Sequence, residues 1–169
     1  KISFEVDPEH SLPHFSFDHL GLSKVKGRFD KVSGQIDIDF VAQTASIDIS
    51  IDMTSLSTGV ETLNKHLVSG DFFDVRKYPT ATFKSTFVSF EDGRPVSING
   101  NLTLHGITQS ATFMVTSFKH GPHPIKQNRE AIGGNARTMI SRSAFGLGRF
   151  TPNIADGVTI TIGLEALRK

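Results

Sequence analysis

The chain contains no cysteine and no tryptophan, and its single tyrosine, Tyr78, stands against fourteen phenylalanines. Without cysteine there are no disulfides, thiolate nucleophiles, zinc knuckles or iron–sulfur clusters. The same absence fits a cytosolic and a periplasmic protein equally, so it leaves the compartment open. With one Tyr and no Trp, nearly all the aromatic surface lacks a polar tip. Charge of one sign is also lacking: 18 basic and 17 acidic side chains give a net charge of +1. That balance argues against a nucleic-acid partner, which calls for a basic stripe. No apolar run approaches the roughly 18 residues of a spanning helix, so no transmembrane segment is expected. The first residues, Lys1-Ile2-Ser3-Phe4, lack a Met. Such a start fits a removed signal peptide or a chosen beginning. No linker, repeat or low-complexity stretch divides the 169 residues. One domain over 1–169 is the expectation, and a chain of this size buries about 70% of its unfolded surface.

What is present is alternation. In Gln35-Ile-Asp-Ile-Asp-Phe40 three apolar side chains share one parity and two aspartates the other, and Ile47, Ile49, Ile51 and Met53 interleave with Asp48, Ser50 and Asp52. Period two with β-branched residues marks strands with one buried face. The pattern returns at Phe15/Phe17, Phe83/Phe87, Leu102/Leu104, Phe113/Val115 and Val158/Ile160/Ile162/Leu164. Ser33-Gly34, Asp92-Gly93, His105-Gly106, Gly121-Pro122, Gly133-Gly134 and Asp156-Gly157 read as breaks between strands. About eight strands at hairpin spacing predict an all-β protein, an antiparallel barrel or sandwich. The exception is Thr58–Val68, where Val60, Leu63, Leu67 and Val68 fall at helical spacing. Thr58-Gly-Val-Glu61 has the form of a capping box. A further turn is expected at Asp71–Asp74, with both aspartates as caps, before Tyr78-Pro79 stops it. A helical insert of this kind lies over an open barrel end. A membrane barrel would need an apolar outer face and Trp/Tyr girdles. The charged parity of Asp37, Asp39, Asp48, Asp52 and Lys84 instead predicts acids outward and Ile and Phe inward.

Catalytic and metal chemistry find little support. His10 and His14 straddle Pro13, and His14 and His19 differ in strand parity, so no metal site is expected. There is no nucleophile elbow, and Asp18-His19 project to opposite sides of a strand. Gly146-Leu-Gly148 lacks the third glycine of a dinucleotide fingerprint. Asn101-Leu-Thr103 matches a glycosylation sequon but lies within an expected strand. No catalytic residue is nominated, and an enzyme is the lesser reading. The inward apolar set fits either a filled core or an elongated pocket for a greasy ligand. Composition does not choose between them.

A series of motifs does bear on that choice. Asp7-Pro-Glu-His10-Ser11, Phe17-Asp-His19, Gly27-Arg-Phe29, Ser55-Leu-Ser-Thr58-Gly59, His66-Leu67 and Ser69-Gly-Asp71-Phe72-Phe73-Asp74 lead the series. Tyr78-Pro79, Phe83-x-Ser85, Gly100-Asn-Leu102-Thr103-Leu-His105-Gly106, Arg142-Ser143-x-Phe145-Gly146 and Asp156-Gly-Val158 complete it. In this order, over almost the whole chain, the sequence resembles the YceI-like family of bacterial polyisoprenoid-binding proteins. The resemblance implies an extended lipocalin-like antiparallel barrel with a hydrophobic channel, periplasmic or secreted after loss of a signal peptide. It implies non-catalytic binding, transport or sequestration of a polyprenyl chain or isoprenoid quinone, with fatty-acid-like or amide lipids carried by some relatives. No cofactor is required by this reading beyond such a bound lipid. An enzyme acting on a lipid or quinone in the same channel, and a stress protein using a filled barrel as scaffold, are the alternatives. Free strand edges leave room for a homodimer.

Given the channel that the resemblance implies, strand parity nominates its lining. These residues are Phe15, Phe17, Phe40, Ile47, Ile49, Ile51, Phe83, Phe87, Leu102, Leu104 and Phe113. His19, Tyr78 and Arg142, in or beside the family motifs, are candidates for a headgroup. Arg142 suits a phosphate or carbonyl oxygen, and its alternative is to bond backbone carbonyls or an Asp at a strand end. Two departures matter: Asn64-Lys65 stands where relatives often carry Arg-Asp, and Ala144 where an Asp is common. Headgroup preference therefore does not carry over from relatives.

Overall fold

Ile36 and Ile38 are buried while Asp37 and Asp39 turn outward, so the alternation read in the sequence becomes the wall of a barrel. The computed structural model describes residues 1–169. Its strands are β1 (Ile2–Val6), β2 (Leu12–His19), β3 (Ser23–Phe29), β4 (Val32–Asp39), β5 (Thr44–Asp52) and β6 (Leu56–Ser57). After helix α1 (Glu61–Val68) come β7 (Thr80–Glu91), β8 (Arg94–Leu104), β9 (Ile107–Pro122), β10 (Glu130–Ser141) and β11 (Gly157–Arg168). Short 3₁₀ turns occupy Met53–Ser55 and Arg142–Phe145. No helix is long and apolar enough to cross a membrane.

Eleven strand segments form an eight-stave ring, an all-β antiparallel barrel as the alternation predicts. β1 and β2 are one stave interrupted at residues 7–11, β3 and β4 are one stave bent at Asp30-Lys31, and β5 continues through a 3₁₀ turn into β6. The pairings show this: β1 bonds β4 while β2 bonds β3, and β4 bonds β5 while β3 bonds β6, all antiparallel. β7 to β11 follow in chain order, and β11 closes the ring by pairing β2 with its first half and β1 with its second. Each stave lies beside its sequence neighbours, which is an up-and-down barrel with no free edge around the ring.

Glycines decide two close approaches. Gly27 faces Phe15 across the β2–β3 pair, and a Cβ there would sit 2.3 Å from the ring. Gly34 stands where a Cβ would meet the Asp48 carbonyl oxygen at 2.4 Å. The expected breaks at Ser33-Gly34 and Gly133-Gly134 therefore do not exist. Both glycine sites are inside strands, β4 and β10, where a neighbour presses in. Gly121-Pro122 likewise belongs to the end of β9. Asp92-Gly93 and His105-Gly106 are hairpin turns with φ of 51° and 78°, and 56° and 72°. Leu20-Gly21, with φ of 56° and 71°, makes a third tight turn that the reading of turn residues missed.

The helix begins later and is held differently than expected. Asn64, not Glu61, supplies the return bond: its Oδ1 accepts from the Thr58 N–H at 2.7 Å and the Thr58 hydroxyl at 2.6 Å. Val60 is the N-cap residue, without a side-chain cap, and is 53% exposed rather than on the buried face. Leu63, Leu67 and Val68 pack inward. Asp71 is no cap either; it pairs with Arg149 across the barrel mouth. Asp74 sits at φ 48° and accepts through its backbone carbonyl from Lys77 and Tyr78.

At the seam where β1 meets β11, Glu130 accepts from Arg168 Nη1 at 2.6 Å and from His120 Nε2 at 2.6 Å. The bond to His120 first, and that to Arg168 second, hold the Glu130 carboxyl below its ordinary pKa. A carboxylate with a lowered folded-state pKa stabilises the fold above its unfolded pKa, and the contribution vanishes as pH falls through the folded value. Thermal melts should therefore show wild type losing more stability than Glu130→Gln as the pH falls below the ordinary Glu value of about 4.3.

Candidate functional site

Inside the barrel the packed side chains leave two spaces unfilled. A chamber of about 440 Å³ lies under α1, lined by residues of β2, β3, α1, the Phe72-Phe73 turn and the 147–154 loop. A second chamber of about 160 Å³ lies farther along the barrel, lined by Ile36, Ile38, Ile47, Ile49, Phe83, Phe113, Phe118, Ile132, Ile162 and Leu164 among others. Pro13, Ile51, Leu102 and Ile160 line both, so they stand between the two. The larger chamber falls in the ~300–1,000 Å³ range of ligand pockets. The smaller matches the ~150 Å³ apolar cavity that stays dry and accepts benzene. Native cores ordinarily pack with few voids larger than a water molecule. A sequence selected only for a filled core would close such a space.

The far chamber carries no titratable side chain; Asn135 is its one polar side chain. In the helix-side chamber the titratable lining residues are His14, His19, His66 and Arg142. His66 lies edge-on to Phe72 at 4.9 Å and 3.7 Å from an Asp71 carboxylate oxygen. Phe15, Phe17, Phe29 and Phe73 make an aromatic cluster with centroids 5.5–6.4 Å apart. Phe83 and Phe113 meet edge to face at 5.1 Å in the far chamber.

Most nominated residues therefore line one chamber or both. Phe15, Phe17, His19 and Leu104 face the helix-side chamber, Ile47, Ile49, Phe83 and Phe113 the far one, and Ile51 and Leu102 both. Three nominations fall outside the chambers, and a fourth, Arg142, reaches one without a free donor. Phe40 has the inward parity but does not line the far chamber; it is half-buried, stacked on His120 at 4.3 Å and packed against the neighbouring core cluster. Phe87 points outward and is 62% exposed, because a bulge between Ser85 and Phe87 reverses the parity and turns Val88 inward. Tyr78 stands outside both chambers, over Gly106 and against the His105 ring at 4.8 Å. Phe87→Ser should leave both melting temperature and lipid uptake within error of wild type, whereas Phe83→Ser should lower both; a thermal melt with a binding titration checks the pair.

Arg142 touches the helix-side chamber but has no donor left to offer. Nε bonds the Ala155 carbonyl at 2.9 Å, and Nη1 bonds those of Leu147 and Arg149 at 2.6 and 3.0 Å. Nη2 bonds the Ile154 carbonyl at 2.8 Å and the Thr151 hydroxyl at 3.2 Å. All five N–H groups of the guanidinium are spent. Burial lowers its pKa and nearby Asp156 partly opposes this. Asp156 is itself held low by the Ser143 hydroxyl at 2.7 Å and the Ser143 N–H at 2.8 Å, against burial, which pushes it up. Arg142 is the hub of the 147–155 loop, and that loop supplies Leu147, Phe150 and Ile154 to the chamber roof.

Sequence reasoning missed the α1 face of Leu63 and Leu67, the Phe72-Phe73 pair, Phe150, and the β11 residues Val158, Ile160, Ile162 and Leu164. The β11 alternation and the helical spacing were both visible signals. Phe150 offered none, since it sits in an irregular loop.

Fold and site together define a calyx: an up-and-down barrel with an internal apolar channel roofed at one end by a helix. A model of the YceI-like domain matches residues 4–166, and the chain belongs to the YceI-like family. A UPF0312 protein of Pseudomonas putida is 33% identical over 147 residues, covering 85% of this chain and 76% of that protein. The crystal structure of the Campylobacter jejuni YceI protein shares 30% identity with a TM-score of 0.76, covering 90% of each chain. A domain from Saccharophagus degradans, described as polyisoprenoid-binding and implicated in plant cell wall breakdown, has the same fold. Its TM-score is 0.72 at 16% identity, over 100% of both chains.

Proposed function

We propose that the protein binds a long isoprenoid, a polyprenyl chain or an isoprenoid quinone, or a related amphiphilic lipid, and carries or sequesters it without a catalytic step. The observation that carries this reading is the pair of apolar chambers that meet at Pro13, Ile51, Leu102 and Ile160, which we take as the neck of one channel. A flexible chain can thread such a channel, and each buried methylene contributes about 0.8 kcal/mol before ordering costs. The far chamber would take the tail. The headgroup would stay under α1, where His14, His19 and His66 are the polar lining side chains besides the fully engaged Arg142. Likeness in fold to the polyisoprenoid-binding domain of Saccharophagus degradans supports the same choice of ligand class.

The test is organic extraction of the purified protein followed by mass spectrometry, with a titration of delipidated protein by long-chain polyprenol. One bound isoprenoid per chain is expected. Recovery of no lipid, together with no binding of added polyprenol, quinone or fatty acid, would overturn the reading. Conversion of the added lipid on long incubation would assign an enzyme instead.

A further inference from the structure

We propose that the tip of the β2–β3 hairpin, with Phe150 beside it, is a membrane-contact surface that seats the mouth of the helix-side chamber on an anionic lipid bilayer. The inference rests on the lipid-carrier reading and adds to it the route by which the ligand enters. Its first support is the turn Leu20-Gly21-Leu22, where Leu20 is 52% and Leu22 83% exposed. Tight turns are ordinarily built from small polar residues, and two leucines held in water at a hairpin tip gain nothing in the folded chain. Phe150 is exposed to a similar extent, 53%.

These three residues belong to one rim. The Leu20 N–H donates to the Asn153 carbonyl at 2.8 Å, the Ala155 N–H donates to the Asp18 carbonyl at 3.0 Å, and His19 bridges Ile154. Directly inside that rim, His19, Val25, Phe150 and Ile154 line the chamber. The exposed apolar groups are thus continuous with the channel wall. A lipid tail leaving the chamber here would meet leucine and phenylalanine before water.

Charge identifies the occupant. Residues 19–29 hold Lys24, Lys26 and Arg28 and no acidic side chain. All three cations are exposed on the outer face of β3, while Val25, Gly27 and Phe29 turn inward. Lys24 and Arg28 pair with the flanking Asp18 and Asp30, and Lys26 between them pairs with neither. Arg149, ion-paired with Asp71, stands next to the rim with its guanidinium 5.8 Å from the Phe150 ring centre. Apolar side chains at a tip backed by a cationic face are the chemistry of an interfacial anchor, in which the tip enters the headgroup region and the cations meet lipid phosphates.

The experiment is co-sedimentation of the full chain with vesicles of phosphatidylethanolamine and phosphatidylglycerol, compared with vesicles of phosphatidylcholine. Leu20→Asn with Leu22→Ser is the apolar variant; Asn tolerates the left-handed backbone at position 20. Lys24→Gln with Lys26→Gln is the charge variant. Wild type should bind the anionic vesicles in a salt-sensitive manner, and each double variant should bind about tenfold or more weakly. Uptake of polyprenol from detergent should be unchanged in both, and melting temperatures should stay near wild type. Equal vesicle binding by wild type and variants would overturn the proposal, as would wild type that loads polyprenol yet ignores both vesicle types. A concentration-dependent dimer abolished by Leu20→Asn/Leu22→Ser, without vesicle binding, would assign the hairpin to a second copy of the chain and overturn it too. Vesicle binding with no polyprenol uptake by any form would leave this surface standing and overturn the carrier reading instead.

Discussion

Ile160→Trp is expected to weaken binding of a long polyprenol by about a hundredfold while a short isoprenoid such as farnesol binds within a few-fold of wild type. Ile160 lies on β11 opposite Phe15 and lines both chambers, so an indole there fills the neck. A short ligand still fits under α1. A long one loses the far chamber, and excluding about four methylene-sized groups costs about 3 kcal/mol. Overpacking is the competing explanation for any loss, which a thermal melt and the farnesol control separate. Ile51→Phe blocks the same neck from the opposite wall and should reproduce the chain-length effect. If long and short ligands weaken equally, the two chambers do not act as one channel.

Arg142→Met should lower the melting temperature by about 10 °C. The substitution strips partners from four backbone carbonyls and the Thr151 hydroxyl at once. Leaving buried acceptors unpaired costs about 1–3 kcal/mol each where the loop cannot relax to water. A total near 3–5 kcal/mol is therefore reasonable, and each kcal/mol shifts the midpoint by about 2–4 °C at this chain length. Arg142→Lys should recover little, because three ammonium donors cannot reproduce a planar five-donor fork. The binding readout separates two roles. If Arg142 holds the roof, ligands of any headgroup weaken together and dissociate faster. A stable Arg142→Met protein that loses only phosphate-bearing ligands would instead make Arg142 a headgroup donor, against the geometry.

The barrel was legible wherever alternation was unbroken. Ile36, Ile38, Ile47, Ile49 and Ile51 all face inward as their parity requires, because a strand offers side chains only two directions. Parity says nothing about height along the barrel, which is why Phe40 had the right face and the wrong place. It is also reset by an extra residue: the bulge before Phe87 cannot be read from Ser85-Thr86-Phe87 alone, since it depends on the register against β8. Glycine misled in the opposite sense. Gly34 and Gly133-Gly134 read as breaks because local chemistry does not show that a neighbouring strand presses close there. The role of Arg142 was among the alternatives, but its choice needed the folded 147–155 loop. The closure of β1 on β11 joins the two ends of the chain, beyond the reach of any local signal.

The most direct test of the account is photo-crosslinking with a polyprenol whose distal isoprene unit carries a diazirine, followed by peptide mapping. The channel predicts labelling at far-chamber residues such as Ile47, Phe83, Phe113 and Ile132, suppressed by Ile160→Trp. Labelling confined to the outer wall, at Phe87, Met114 or Met139, would contradict an internal channel.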